Sequence, residues 1–384
     1  MAEPETKNKT SSSIMPDWSQ LLEELLHLIS KLIENCFDVV HARSVCSSWR
    51  SSFPFPCSLI HTSCSLPKFD KFPLESDGLC TLKKVPLFLF RLRARTTDAA
   101  EFLIGGIGRD ESEDHMQLPS SIQCSVKVKI PGSVPTLMNM LDCQIFPLGH
   151  QYRIIGCNPI SYRGVATLPL TKERGGGGFV VLLNCSQFLL VLTSAEMRWK
   201  QLENVPKSFC WSLVTFRGKF YANFLSKQIV VIDPYSLEVT LLLPSPQKPV
   251  NHLVPSGNDK LFLVEVTFLP IVGLDFDQLI LRVSRLDEEA GKWIEISDLG
   301  DRVLFINELG NFSCSAKELP HDCGVSGNSI LITHGGSDKL TFAYKYGVHT
   351  GNAEDDLNCW RYSRENRVMK PNTSFPVIAL QVER

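Results

Sequence analysis

The chain has 384 residues, 39 basic and 41 acidic, with a formal net charge of −2. That length accommodates one large core plus a small second domain, and the balanced charge excludes the broad field that draws proteins onto nucleic acid or anionic membranes. With 43% hydrophobic and 21% charged residues, burial offsets chain entropy and a wholly disordered chain is excluded.

The opening MAEPETKNKTSSS is polar and mixed in charge, without the cationic start and apolar stretch of a secretory signal. Residues 1–15 are therefore expected to be a disordered leader of a protein of the nucleus or cytoplasm. LLEELLHLISKLI follows, placing Leu22, Leu25, Leu26, Ile29, Leu32 and Ile33 at helical spacing, with Asp17, Ser19 and Gln20 as capping candidates. After a break at Glu34-Asn35-Cys36, a second apolar face of Phe37, Val40, Val45, Cys46 and Trp49 runs until Pro54 and Pro56 forbid continuation. Two or three short helices thus fit into residues 16–56, near the lower size limit for independent stability. Leu21 and Leu28 fall off the main stripe, leaving the first helix apolar around more of its circumference than two short neighbours can cover. Either another protein or the downstream domain covers that surface.

Residues 57–79 read as a linker, and from residue 80 the pattern changes to short apolar or alternating runs separated by turns, predicting a large all-β domain over residues 80–384. GKFYANF, IVVID and EVTLLL predict three successive antiparallel strands, and LILRVSRL followed by WIEIS predicts two more. Lys219-Phe220-Tyr221 is echoed at Lys260-Leu261-Phe262, 41 residues on, and Trp199 and Trp293 lie 94 apart. These spacings suit one and two steps of the roughly 40–50-residue period of propeller blades, with a β-sandwich or mixed barrel as the structural rival. Residues 179–195, interrupted by Asn184, Ser186 and Gln187, predict two buried strands and a polar turn instead of a membrane span. Residues 105–119 and the glycine run 175–178 are expected to be surface loops, and Gly105-Gly106-Ile107-Gly108 a turn.

Chemistry is sparse. Thirteen cysteines without a C-x-x-C pair read as free, mostly buried thiols. His321, Cys323 and His334 lack the tight ligand pairs of structural zinc. Asp110, Glu111, Glu113 and Asp114 lack EF-hand spacing. Arg91, Arg93 and Arg95 share one strand face, which reads as a solvated or edge-guarding face more readily than as a grip on an acidic target. No catalytic residue, cofactor or metal is expected, and no nucleic acid or membrane as partner.

Residues 17–53, with the leucine-rich first helix and Val45-Cys46-Ser47-Ser48-Trp49-Arg50, resemble the F-box, a three-helix module. SAEMRWKQLENVP, FRGKFYA, VIDPYSLEVT, SRLDEEAGKWIEISDLGDRVLFI and ELPHDCGVSGNSI resemble the kelch-like β-propeller region of a large plant family of F-box proteins. The resemblance implies an α+β multidomain chain whose small helical F-box precedes a large all-β, propeller-like domain. It further implies a non-catalytic substrate receptor that binds a Skp-family adaptor, and through it a cullin, and presents an unidentified target protein for ubiquitination. Leu21, Leu22, Leu25, Leu26, Ile29, Val45 and Trp49 are the expected adaptor-facing or adaptor-supporting residues, with Leu22 and Leu26 the better contact candidates and Trp49 a core residue. F-boxes usually carry proline where this chain has Leu22. The alternatives are a scaffold that joins no ligase and an enzyme with a site in the propeller channel.

Overall fold

The computed structural model describes residues 17–33, 36–53, 63–69, 72–73, 77–93, 100–108, 125–128, 136–139, 144–158, 161–171, 178–185, 187–242, 250–257, 259–270, 277–307, 310–319, 325–334, 340–345, 368–369 and 378–379. The leader, the acidic loop around Asp110, Arg95, residues 175–177, His321 and Cys323 lie outside them. The chain divides into two compact units, one built on residues 1–60 and the other beginning at His61.

The first unit is helical. A 3-10 turn, Trp18–Gln20, precedes α1 (Glu23–Leu32), α2 (Cys36–Val45) and α3 (Ser47–Ser52). Asp17 caps the 3-10 turn, accepting from Ser19 N at 3.0 Å, whereas α1 begins at Leu22 without a side-chain cap. Glu23 and Glu24 occupy its first turn, where carboxylates complement the helix dipole. Leu26, Val39, Ala42 and Phe53 form the buried core, with Leu21, Ile29, Ile33 and Trp49 packed against it. Helices α2 and α3 are laced by two arginines: Arg43 donates to the carbonyls of Arg50 and Phe53, and Arg50 Nε donates to Arg43 O.

The second unit is a five-bladed β-propeller. Blade one holds β1 (Ser63–Pro67), β2 (Leu79–Arg93) and β3 (Ala100–Gly108). A separate hairpin, β4 (Ser125–Val128) with β5 (Thr136–Asn139), precedes β6 (Gln144–Ile155), which returns to pair with β2. Blade two is the meander β7 (Gly164–Leu170), β8 (Gly178–Asn184), β9 (Leu189–Thr193) and β10 (Lys200–Gln201). Blade three repeats it with β11 (Cys210–Phe216), β12 (Lys219–Phe224), β13 (Ile229–Ile232) and β14 (Val239–Leu242). Blade four does so with β15 (Asn251–Ser256), β16 (Lys260–Pro270), β17 (Asp277–Asp287) and β18 (Lys292–Ile296). Blade five contains β19 (Arg302–Asn307), β20 (Gly310–Ser315), β21 (Ser329–His334) and β22 (Leu340–Lys345) in the spatial order β20-β19-β21-β22, with β19 and β21 parallel. Two short strands, β23 (Val368–Met369) and β24 (Ile378–Ala379), run parallel to β3, so both ends of the propeller sequence meet in blade one.

The inner strands β8, β9, β12 and β13 are buried on both faces, which is why they read as continuous apolar runs. In β8, Val180 and Leu182 enter the core shared with blade three, while Val181 and Leu183 enter the core shared with blade one. Five such clusters close the ring, the last joining Leu87, Leu89 and Leu148 of blade one to Val303, Phe305 and Phe312 of blade five. Buried asparagines tie the blades: Asn184 Nδ2 donates to Cys210 O at 3.0 Å and Asn223 Nδ2 to Asn251 O at 2.8 Å. These bonds join the end of each second strand to the start of the next blade's first strand.

Two expectations are corrected. Residues 57–79 are not all linker, because β1 pairs with β2 from Ser63↔Lys83 to Pro67↔Leu79 and buries Leu66 completely. Gly105 and Gly106 form no turn; they extend within β3 opposite Phe88 and Leu87. The ladder needs only backbone groups, and the apolar residues beside the glycines favour the strand.

Candidate functional site

The helical unit has one core and a second, uncovered apolar flank. At ~100° per residue, Leu26 and Ser30 of α1 point into the bundle and are 0% and 5% exposed. Leu25, Leu28 and Leu32 project together along the adjoining arc and are 44%, 57% and 80% exposed. Leu22 at the helix start, Trp18 and Val45 are likewise exposed. The Trp18 backbone is held by Trp49, whose indole Nε1 donates to Trp18 O at 2.9 Å while its ring stacks on Phe53 at 5.4 Å. Leu25, Leu28 and Leu32 thus form an apolar strip that the core of the unit does not use.

Burial pushes the Cys185 and Cys210 thiols up to about 12, far from a nucleophilic thiolate. Backbone N–H groups of Ser236 and Tyr235 hold the Asp233 carboxyl below its ordinary value, which suits a turn cap. Among the described residues, no three or more His, Cys, Asp or Glu side chains converge to hold a metal ion. No described helix is long and apolar enough to cross a membrane.

The KIB1-4 β-propeller family model matches residues 98–357. Two F-box/kelch-repeat proteins of Arabidopsis thaliana are 60% and 58% identical to the chain, over 97% and 98% of its length and 98% and 99% of theirs. The chain belongs to the F-box/kelch-repeat family. The F-box protein SKIP23 of Arabidopsis thaliana is similar at 26% identity, over 83% of this chain and 84% of its own.

Within this F-box, the residues expected to face or support an adaptor divide by burial. Leu22, Leu25 and Val45 are exposed. Leu21, Ile29 and Trp49 are half-buried against the core. Leu26, expected as a contact, is wholly enclosed by its own bundle and can only support the fold. Trp18 and Leu32 stand outside that expectation although both are exposed, and Leu28, which falls off the main stripe, is exposed as well. The missed signal was angular: positions 25, 28 and 32 span only ~60° of a helix, immediately beside the core stripe.

Proposed function

We propose that this F-box/kelch-repeat protein is a substrate receptor of a cullin-based ubiquitin ligase, acting in the nucleus or cytoplasm. Its F-box docks on a Skp-family adaptor, and its propeller holds a target protein. The observation that carries the reading is the flank formed by Leu25, Leu28 and Leu32, apolar and exposed on a module whose core already lies on the neighbouring face. A helical adaptor burying that flank would gain, for each leucine, only the exposed share of the about 1.5–3 kcal/mol that full burial is worth, before the costs of association. The family names of the relatives support the same assignment.

The receptor itself breaks no bond in this reading. It supplies proximity, raising the effective concentration of target lysines near a conjugating enzyme held elsewhere in the assembly. Leu22 in place of the customary proline does not argue against docking, because its φ of −61° and ψ of 141° are values proline would adopt. The test is co-purification with a Skp-family adaptor. Leu25→Asp with Leu28→Asp should abolish capture while the chain stays folded, and undiminished capture by that variant would remove the proposed docking face.

A further inference from the structure

One rim of the propeller carries a chain of ring contacts across three successive blades. Arg163, just before β7, places its guanidinium carbon 4.4 Å from the centre of the Phe209 ring. Phe209, just before β11, lies 6.3 Å from Trp211, and Trp211 lies 6.1 Å from His252 of β15. The rim is held from beneath by the Asn184 and Asn223 ties to the starts of β11 and β15. It is held from the side by Leu225 N donating to Phe209 O and Ser226 N to Ser208 Oγ. Trp211 and Leu225 nevertheless stay 38% and 37% exposed, leaving part of each apolar side chain for a partner to cover.

The charge of the blade-two and blade-three loops beside these rings has one dominant sign. Arg163, Lys207 and Lys227 are all exposed, and Glu203 is the acidic residue among the described residues of the same four loops, 156–163, 185–188, 202–209 and 225–228. Aromatic and arginine side chains at the centre of a patch, rimmed by cations, match the composition of interface hot spots. The overall charge of −2 disfavours a nucleic-acid strand, whose backbone needs an extended basic track.

We infer that this rim binds an acidic segment of the target protein, seating an aromatic or leucine side chain against Trp211 and Leu225 and its carboxylates beside Arg163, Lys207 and Lys227. The inference rests on the receptor reading and names the chemistry of its target.

A random peptide library displayed on phage is selected on the full chain. The recovered consensus is then synthesised with a fluorescein label and titrated by anisotropy, with adaptor capture measured on the same preparations. Recovered peptides should carry Asp and Glu around a Phe, Tyr, Trp or Leu, and their binding should weaken with salt. Trp211→Ala should weaken binding at least about tenfold, as hot-spot truncation does. Arg163→Glu with Lys227→Glu, both on the surface and each checked by an unchanged thermal unfolding curve, should do the same. No enriched peptide, a neutral or basic consensus, or unchanged affinity in either folded variant overturns the inference. Displacement of the peptide by single-stranded oligothymidylate with a higher affinity overturns it too, in favour of nucleic acid. Loss of adaptor capture by the unmodified chain would instead overturn the receptor reading, so the two failures are separable.

Discussion

Substituting the two faces of α1 should give opposite outcomes. Leu26 is 0% exposed and packs with Val39, Ala42 and Phe53, so Leu26→Ala should cost about 2–5 kcal/mol through lost burial and the cavity left behind. A unit of this size has a total stability of only a few kcal/mol, at roughly 0.05–0.15 kcal/mol per residue. The single change should therefore unfold most of the helical unit. Leu28 and Leu32 are 57% and 80% exposed, and replacing both by Ser should cost within about 0.5 kcal/mol per site. Amide hydrogen exchange read by mass spectrometry on peptides from residues 17–53 reports this unit separately from the propeller. Leu26→Ala should bring its protection close to zero, and the double serine variant should leave it near wild type. Equal loss of protection in both variants would mean that Leu28 and Leu32 are buried by this chain, and the argument for an uncovered flank would fail.

Leu22→Pro should slow exchange in the first turns of α1, stabilising the unit by about 0.4–1 kcal/mol, because the native φ of −61° and the extended Leu21 before it already suit proline; faster exchange would refute this. Asn223→Ala should lower propeller stability by about 0.5–1.5 kcal/mol in denaturant unfolding, since Asn223 is 0% exposed and its loss removes the bond to the Asn251 carbonyl. Unchanged stability would show that the tie between blades three and four carries nothing. The Asp233 carboxyl, held low first by the Ser236 N–H, stabilises its turn above the unfolded carboxylate range, and that contribution is lost as pH falls through the lowered folded value. The Tm gap between wild type and Asp233→Ala should accordingly be full at neutral pH and close below about pH 4; a gap constant with pH would contradict the assignment.

Periodicity revealed the elements better than their surroundings. The leucines of α1 announce a helix, but spacing alone does not say which side its partners take, so Leu26, expected as a contact, proves to be core once α2 and α3 are placed. Blades two to four were legible because each is a local meander, and the Lys219 and Lys260 echoes mark the second strands of adjacent blades. The blade count was not, because blade one assembles strands from residues 63–155 and from the C-terminal end, and blade five has a reordered sheet. Strand β1 is not legible because five residues ending on Pro67 give too short an alternation. The rim of Arg163, Trp211 and His252 follows the blade spacing, at 48 and 41 residues, yet each residue by itself is an ordinary loop or strand-start side chain. Only the ring of blades brings them together.

The uncovered flank of the F-box is tested most directly by calorimetric titration of the full chain with a purified Skp-family adaptor at several temperatures. Burial of apolar area on binding makes ΔCp negative. The account predicts saturable binding with a negative ΔCp that shrinks, together with affinity, when Leu28 and Leu32 are changed to Ser. Absence of binding, or the same ΔCp and affinity in wild type and variant, would contradict it.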